Sequence, residues 1–187
     1  MEPDGKKSAG PAADKIASQN GTSAAELPGR ILGLDVGARR IGIAVSDPLG
    51  ITAQGLETLE RRNKRQDFAR LGELIQRFDV KGIVVGLPLR MSGAEGTQSA
   101  KMRAFAEELR KRFGLPVQLW DERLTSAEAN RFLRETELSI EKRGKAVDRM
   151  AAVLILQGWM GWMEQRKSAA SEVPSPSDVP FPAEGEN

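Results

Sequence analysis

Four carboxylates stand where an apolar strand ends or an apolar helix begins. Asp35 closes "ILGLDV", directly before the glycine turn "GARR". Asp121 and Glu122 end "PVQLWDE", and Asp148 precedes the apolar stretch in "KAVDRMAAVLILQGWM". A charge at the end of an apolar strand is costly unless an arginine, a backbone nest or a metal ion compensates it. The chain has no histidine and no cysteine. This excludes imidazole mechanisms, including Ser-His-Asp and Cys-His catalysis, and thiolate zinc sites. Acid–base chemistry is left to carboxylates, lysines or metal-bound water. Three acids from separate segments suit hard divalent cations, magnesium first and manganese as the alternative. Two such ions about 4 Å apart can clamp an in-line phosphodiester displacement without a side-chain base.

Each acid also has a purely structural reading. Asp35 could open the hairpin as an Asx-turn. Asp121 or Glu122 could pair with Arg123, which otherwise is free to meet a phosphate. Asp148 could sit in the first turn of a buried helix and gain from its dipole. Lys145 and Arg149 flank Asp148 and are candidates for holding substrate phosphates.

The elements that must position these residues follow from periodicity. Ile31–Val36 and Ile41–Ser46 are branched apolar runs that read as a hairpin. A third strand is expected over Ile51–Leu59. "RQDFARLGELIQRF" places Phe68, Leu71, Leu74, Ile75 and Phe78 on one helical face. "GIVVG" (Gly82–Gly86) reads as a strand buried on both faces. A second helix runs from about Gly96 to Phe113, with Gly114 as its C-cap. "PVQLW" is a fifth strand. A third helix is expected over Thr125 to about Arg134, with Thr125 and Glu128 as a capping box. "TELSIEKRGK" (Thr136–Lys145) reads as a polar loop, and a last helix runs from about Ala146 to Arg166. The order β-β-β-α-β-α-β-α-α implies an α/β domain with a mixed five-stranded sheet flanked by helices. That is the order of the ribonuclease H-like fold. Trp120, Trp159 and Trp162 fall at apolar positions and read as core, so aromatic stacking on bases is a minor route to substrate.

Composition bounds the setting. Residues 1–29 and 168–187 lack sustained periodicity and read as disordered tails around a domain at 30–167. The chain has 28 basic and 26 acidic residues, yet the two tails hold three bases and eight acids. The domain is left with 25 basic and 18 acidic residues, a net charge of +7. Such a surface suits a polyanionic partner. The longest uncharged run, Met150–Met163, is shorter than the roughly 20 residues that span a bilayer. No membrane partner and a cytoplasmic location are expected.

The motifs "DVGARRIGIAVSD", "VVGLPLRMSGAEG", "WDERLTSAEA" and "KAVDRMAAVLILQGW" together resemble the YqgF family. These bacterial proteins are related to RuvC-type Holliday junction resolvases. The resemblance covers about Arg30 to Arg166. It implies a ribonuclease H-like, metal-dependent hydrolase that processes the 5′ end of pre-16S rRNA in ribosome biogenesis. It puts the family's acids on Asp35, Glu122 and Asp148, and it puts basic motif positions on Arg39 and Arg123. It also answers the question of Asp35's compensation in favour of a metal. One departure stands out. RuvC-type enzymes carry an acid near the end of strand four, where this chain has "VVGLP", so Glu122 on strand five would have to substitute.

Three other readings compete with a nuclease acting on structured RNA. A resolvase cleaving branched DNA would need paired sites, hence a homodimer rather than a monomer. A non-catalytic rRNA-binding assembly factor would bind without cleaving. An ATP-hydrolysing protein of the actin and sugar-kinase type also opens with an Asp-x-Gly hairpin, but the chain is too short for two such lobes. The basic domain makes one shared prediction. Substrate binding, followed by filter retention from roughly 50 to 200 mM salt, should weaken steeply, and a flat response would contradict a phosphate-binding face.

Overall fold

The computed structural model describes residues 29–89, 96–121 and 140–171. Five strands form one mixed sheet: β1 (Arg30–Val36), β2 (Arg40–Ser46), β3 (Ala53–Glu60), β4 (Val80–Leu87) and β5 (Val117–Asp121). Their spatial order is β3-β2-β1-β4-β5. The first three strands form an antiparallel meander, while β4 and β5 run parallel to β1. This is the expected mixed sheet, with the hairpin side and the parallel side meeting at β1.

Helices α1 (Lys64–Phe78) and α2 (Thr97–Phe113) cover one face. Asn63 starts α1 by accepting a hydrogen bond from the Gln66 N–H at 3.0 Å. Asp79 ends α1 in the left-handed region at φ 50°, and Gly114 ends α2 at φ 65°. Phe68, Leu71 and Leu74 of α1 and Met102, Phe105 and Leu109 of α2 pack on Leu32, Leu34, Ile41, Ile43, Ile83 and Val85. The opposite face is covered by α3 (Ile140–Ser171). There Ile155, Leu156, Trp159 and Trp162 pack on Ile31, Ala44, Val84 and Trp120. All three tryptophans are core residues, and the Trp159 indole donates to Gln118 Oε1 at 3.0 Å.

Two expectations need correction. The last six residues of "TELSIEKRGK" are helix, because α3 begins at Ile140 rather than near Ala146, and it continues to Ser171. Glu141, Lys142, Arg143 and Lys145 are good helix formers, and Gly144 alone costs only about 1 kcal/mol. The Thr58 hydroxyl also fixes this segment by donating to the Lys145 carbonyl at 2.7 Å. Asp148 therefore lies eight residues into the helix, too far from its N-terminus for the dipole to act. The helix expected at Thr125–Arg134, with its capping box, lies outside the described residues.

The seat of α3 is made of glycines. A β-carbon at Gly42 would overlap the Asp148 carbonyl. One at Gly33 would stand 2.8 Å from Leu156 Cβ and 3.0 Å from the Ala152 carbonyl oxygen. One at Gly55 would meet Arg149 Cβ at 3.3 Å. Glycine inside a strand commonly marks such a close approach. The helix thus lies almost backbone to backbone on β1 and β2, and rests on β3 through the Arg149 and Val153 side chains.

This seat predicts opposite effects for two glycine-to-alanine changes. Gly42→Ala should destabilise the domain by about 3 kcal/mol, because rigid helix backbone has nowhere to go. Gly161→Ala, on the open side of α3 with nothing within 4 Å, should stabilise by about 1 kcal/mol through helix propensity. Urea denaturation of both variants checks the pair, and equal effects would contradict the close seat.

Candidate active site

Strand alternation sorts the acids by face. Leu32, Leu34 and Val36 point toward α1 and α2, so Asp35 shares the α3 face with Ile31 and Gly33. It is half-buried at the end of β1, opposite Gly42 in the β1–β2 ladder. Gly42 is the residue on which the Asp148 backbone rests. The two carboxylates therefore approach one sheet end from two elements, one on a strand and one on a helix. Asp121 is buried at the end of β5, but it is in phase with Leu119 and Val117, two and four residues before it, and so belongs to the α1–α2 face.

The electrostatics of the pair are unfavourable as they stand. Burial first, and the nearby Asp148 charge second, together raise the Asp35 pKa from 3.8 to about 6. Among the described residues, no cation forms an ion pair with Asp35. Asp148 is partly exposed rather than buried, because α3 is an outer layer of the domain. Its Oδ2 lies 2.6 Å from Arg40 Nε. The contact is an ion pair without hydrogen-bond direction, since that buried oxygen accepts no hydrogen bond. Two crowded carboxylates, one uncompensated and one with an unsatisfied buried oxygen, have the donor chemistry of a hard divalent cation's ligands. Among the described residues no third acid joins them.

The expected basic residues divide. Arg39 is exposed on the β1–β2 turn. Arg149 lays its stem across Gly55 at the β3 side of the site. Lys145 is not left for phosphate alone, because its ammonium pairs with Glu60 Oε1 at 2.7 Å. That pair, more than any other contact, holds the Glu60 carboxyl below its usual range. Glu122 and Arg123 lie outside the described residues.

Sequence reasoning missed Arg40, Gly42, Thr58, Glu60 and Gly144. The signal for Gly42 was present, a glycine inside the branched run "RIGIAVS". No local pattern announces Arg40 or Thr58, whose partners lie across the fold. A cavity of about 480 Å³ near Gly37 is lined by Val36, Phe68 and Lys101. It opens on the α1–α2 side of the sheet and is separate from the acid pair.

The raised Asp35 pKa has a consequence for stability in metal-free buffer. The folded state holds this proton up to about pH 6 and the unfolded chain only to about 3.8. Stability is therefore lost as pH rises between those values, by about 3 kcal/mol at most. Asp35→Asn should be more stable than wild type at pH 7 in EDTA, with the difference closing by pH 4. Urea denaturation of the two proteins across that range checks it.

Comparison with known proteins identifies the family. The family model RuvX, described as Holliday junction resolvase, matches residues 29–161. A protein of Koribacter versatilis (strain Ellin345), named as a candidate pre-16S rRNA nuclease, is 64% identical over 132 residues, which are 71% of this chain and 86% of that protein. A protein of Moorella thermoacetica with the same name is 51% identical over 136 residues, 73% of this chain and 97% of that one. Among solved structures, the yeast mitochondrial Holliday junction resolvase Ydc2 aligns with a TM-score of 0.51 at 15% identity, covering 84% of this chain and 88% of that chain. At that identity the likeness speaks for the fold, the one expected from the order of elements. A match over most of the domain, with relatives this similar, shows that the chain belongs to the RuvX (YqgF) family.

Proposed function

We propose that this protein is a divalent-metal-dependent nuclease that cleaves structured RNA and matures the 5′ end of pre-16S rRNA in the cytoplasm. The observation that carries the reading is the convergence of Asp35 and Asp148, from β1 and α3, into a mutually repelling pair. Membership of a family whose relatives carry a pre-16S rRNA nuclease name directs the reading to RNA. The catalytic domain is residues 30–167, flanked by the two tails.

Asp35, Glu122 and Asp148 would hold the metal. Asp121 belongs to the other face of the sheet; Glu122 enters this proposal on the resemblance of its motif to the family's. A bound magnesium or manganese ion would supply positive charge to the phosphodiester during in-line displacement. Arg39, on the exposed turn beside Asp35, would take a substrate phosphate. Arg149 would take another at the β3 side, with Arg123 near the β5 end. Lys145 would contribute by exchanging Glu60 for phosphate. Phosphate contacts and shape, rather than base stacking, would recognise a structured RNA.

A second reading, cleavage of branched DNA, has one observation in its favour, the family's description as resolvases. It requires two sites in a homodimer, whereas RNA processing is open to a monomer.

Cleavage of labelled precursor rRNA and of a four-way DNA junction, with magnesium or EDTA, separates these readings. We expect metal-dependent RNA cleavage, lost by at least 100-fold in Asp35→Asn and Asp148→Asn while both variants stay folded. Junction cleavage alone would favour the resolvase. Tight rRNA binding without cleavage would leave an assembly factor.

A further inference from the structure

The fold supplies Asp148 with a cation of its own. Arg40 starts β2 and reaches α3, where its Nε stands 2.6 Å from Asp148 Oδ2. The guanidinium is packed tightly against the helix. A β-carbon on Gly144, one turn before Asp148, would stand 2.8 Å from Arg40 Nη2 and 3.1 Å from Nη1. Gly144 therefore makes room for the arginine just as Gly42 makes room for the helix. The ion pair is nonetheless loosely made. Oδ2 accepts no directed hydrogen bond, and the Arg40 side chain keeps 35% of its surface exposed. A second acceptor is within reach, because Glu60 is opposite Arg40 in the β2–β3 ladder and already feels its charge.

We propose that Arg40 is a displaceable counter-ion, which neutralises Asp148 in the metal-free protein and moves aside toward Glu60 or a substrate phosphate when a divalent cation takes the carboxylate. This rests on the reading of Asp35 and Asp148 as metal ligands. The physical argument is competition. A buried carboxylate oxygen cannot serve a guanidinium at contact distance and a small cation at about 2.1 Å on the same side. Without Arg40, the metal-free site would hold two bare carboxylates, and the cation would face no competitor.

Competition and simple positioning predict opposite results. If Arg40 competes, Arg40→Met, which keeps the stem and loses the charge, should bind manganese about tenfold more tightly. If Arg40 only holds Asp148 in place, the same change should weaken binding. Gly144→Ala keeps the charge but pushes the guanidinium away, so it too should tighten binding, and it tests the idea if Arg40→Met folds poorly. The measurement is manganese titration of the full chain by electron paramagnetic resonance, without substrate, on wild type, both variants and Asp148→Asn. Wild-type binding lost in Asp148→Asn, with tighter binding in the variants, is the expected outcome. Wild-type binding that the variants leave unchanged or weaken overturns the role of Arg40 alone. No manganese binding sensitive to Asp148 in any protein overturns the metal site and this inference together.

Discussion

The site depends on how closely α3 lies on the sheet. Helices usually pack on sheets through a layer of side chains. Here Gly33 and Gly42 remove that layer at two neighbouring strands, and the helix backbone drops into the gap, while Gly55 makes room for the Arg149 stem. The contact at Gly42 is the tightest of them, and it is the one beneath Asp148. Because Gly42 is also the ladder partner of Asp35, one missing side chain brings a helix acid and a strand acid to one place. Beyond that point the helix carries Ile155, Leu156, Trp159 and Trp162 onto the face. The apolar burial of that half of α3 anchors the other half, where the chemistry is. Thr58 adds a fixed hydrogen bond to the Lys145 carbonyl, so the helix cannot easily lift or slide near the acids.

Close approach has an electrostatic consequence. Asp35 is pushed up to about 6 by burial and by its neighbour, a destabilising arrangement that a core built only for stability would not keep. Around it, charges are paired in a chain: Arg40 with Asp148, and Lys145 with Glu60. Among the described residues, basic groups thus surround the acids without pairing with Asp35. The arrangement tolerates the absence of a cation and still offers it one uncompensated carboxylate.

Much of this was legible in the sequence, for identifiable reasons. The strands and α1 follow from periodicity, and their signals are local: branched runs at Ile31–Val36 and Ile41–Ser46, and a helical stripe from Phe68 to Phe78. Gly114 announced the end of α2 because a left-handed cap has few alternatives. Asp35 was legible because a charge ending an apolar strand demands an explanation. The start of α3 was not legible, because Gly144 and a run of charges mimic a loop when the tertiary bond from Thr58 is unseen. The partial exposure of Asp148 was not legible for a related reason. An apolar sequence after Met150 says that a helix is buried somewhere, not which of its turns. Arg40 escaped notice because its partner is more than 100 residues away, and "GARR" offers two arginines with no local means of choosing between them.

The claim at the centre of this account is that Asp35 and Asp148 share one divalent cation. Anomalous scattering from crystals of the full chain grown with manganese tests it most directly. The account predicts an anomalous peak held by both carboxylates, with Arg40 turned away from Asp148. A manganese-saturated crystal with no peak between them, and Arg40 still on Asp148, would contradict it.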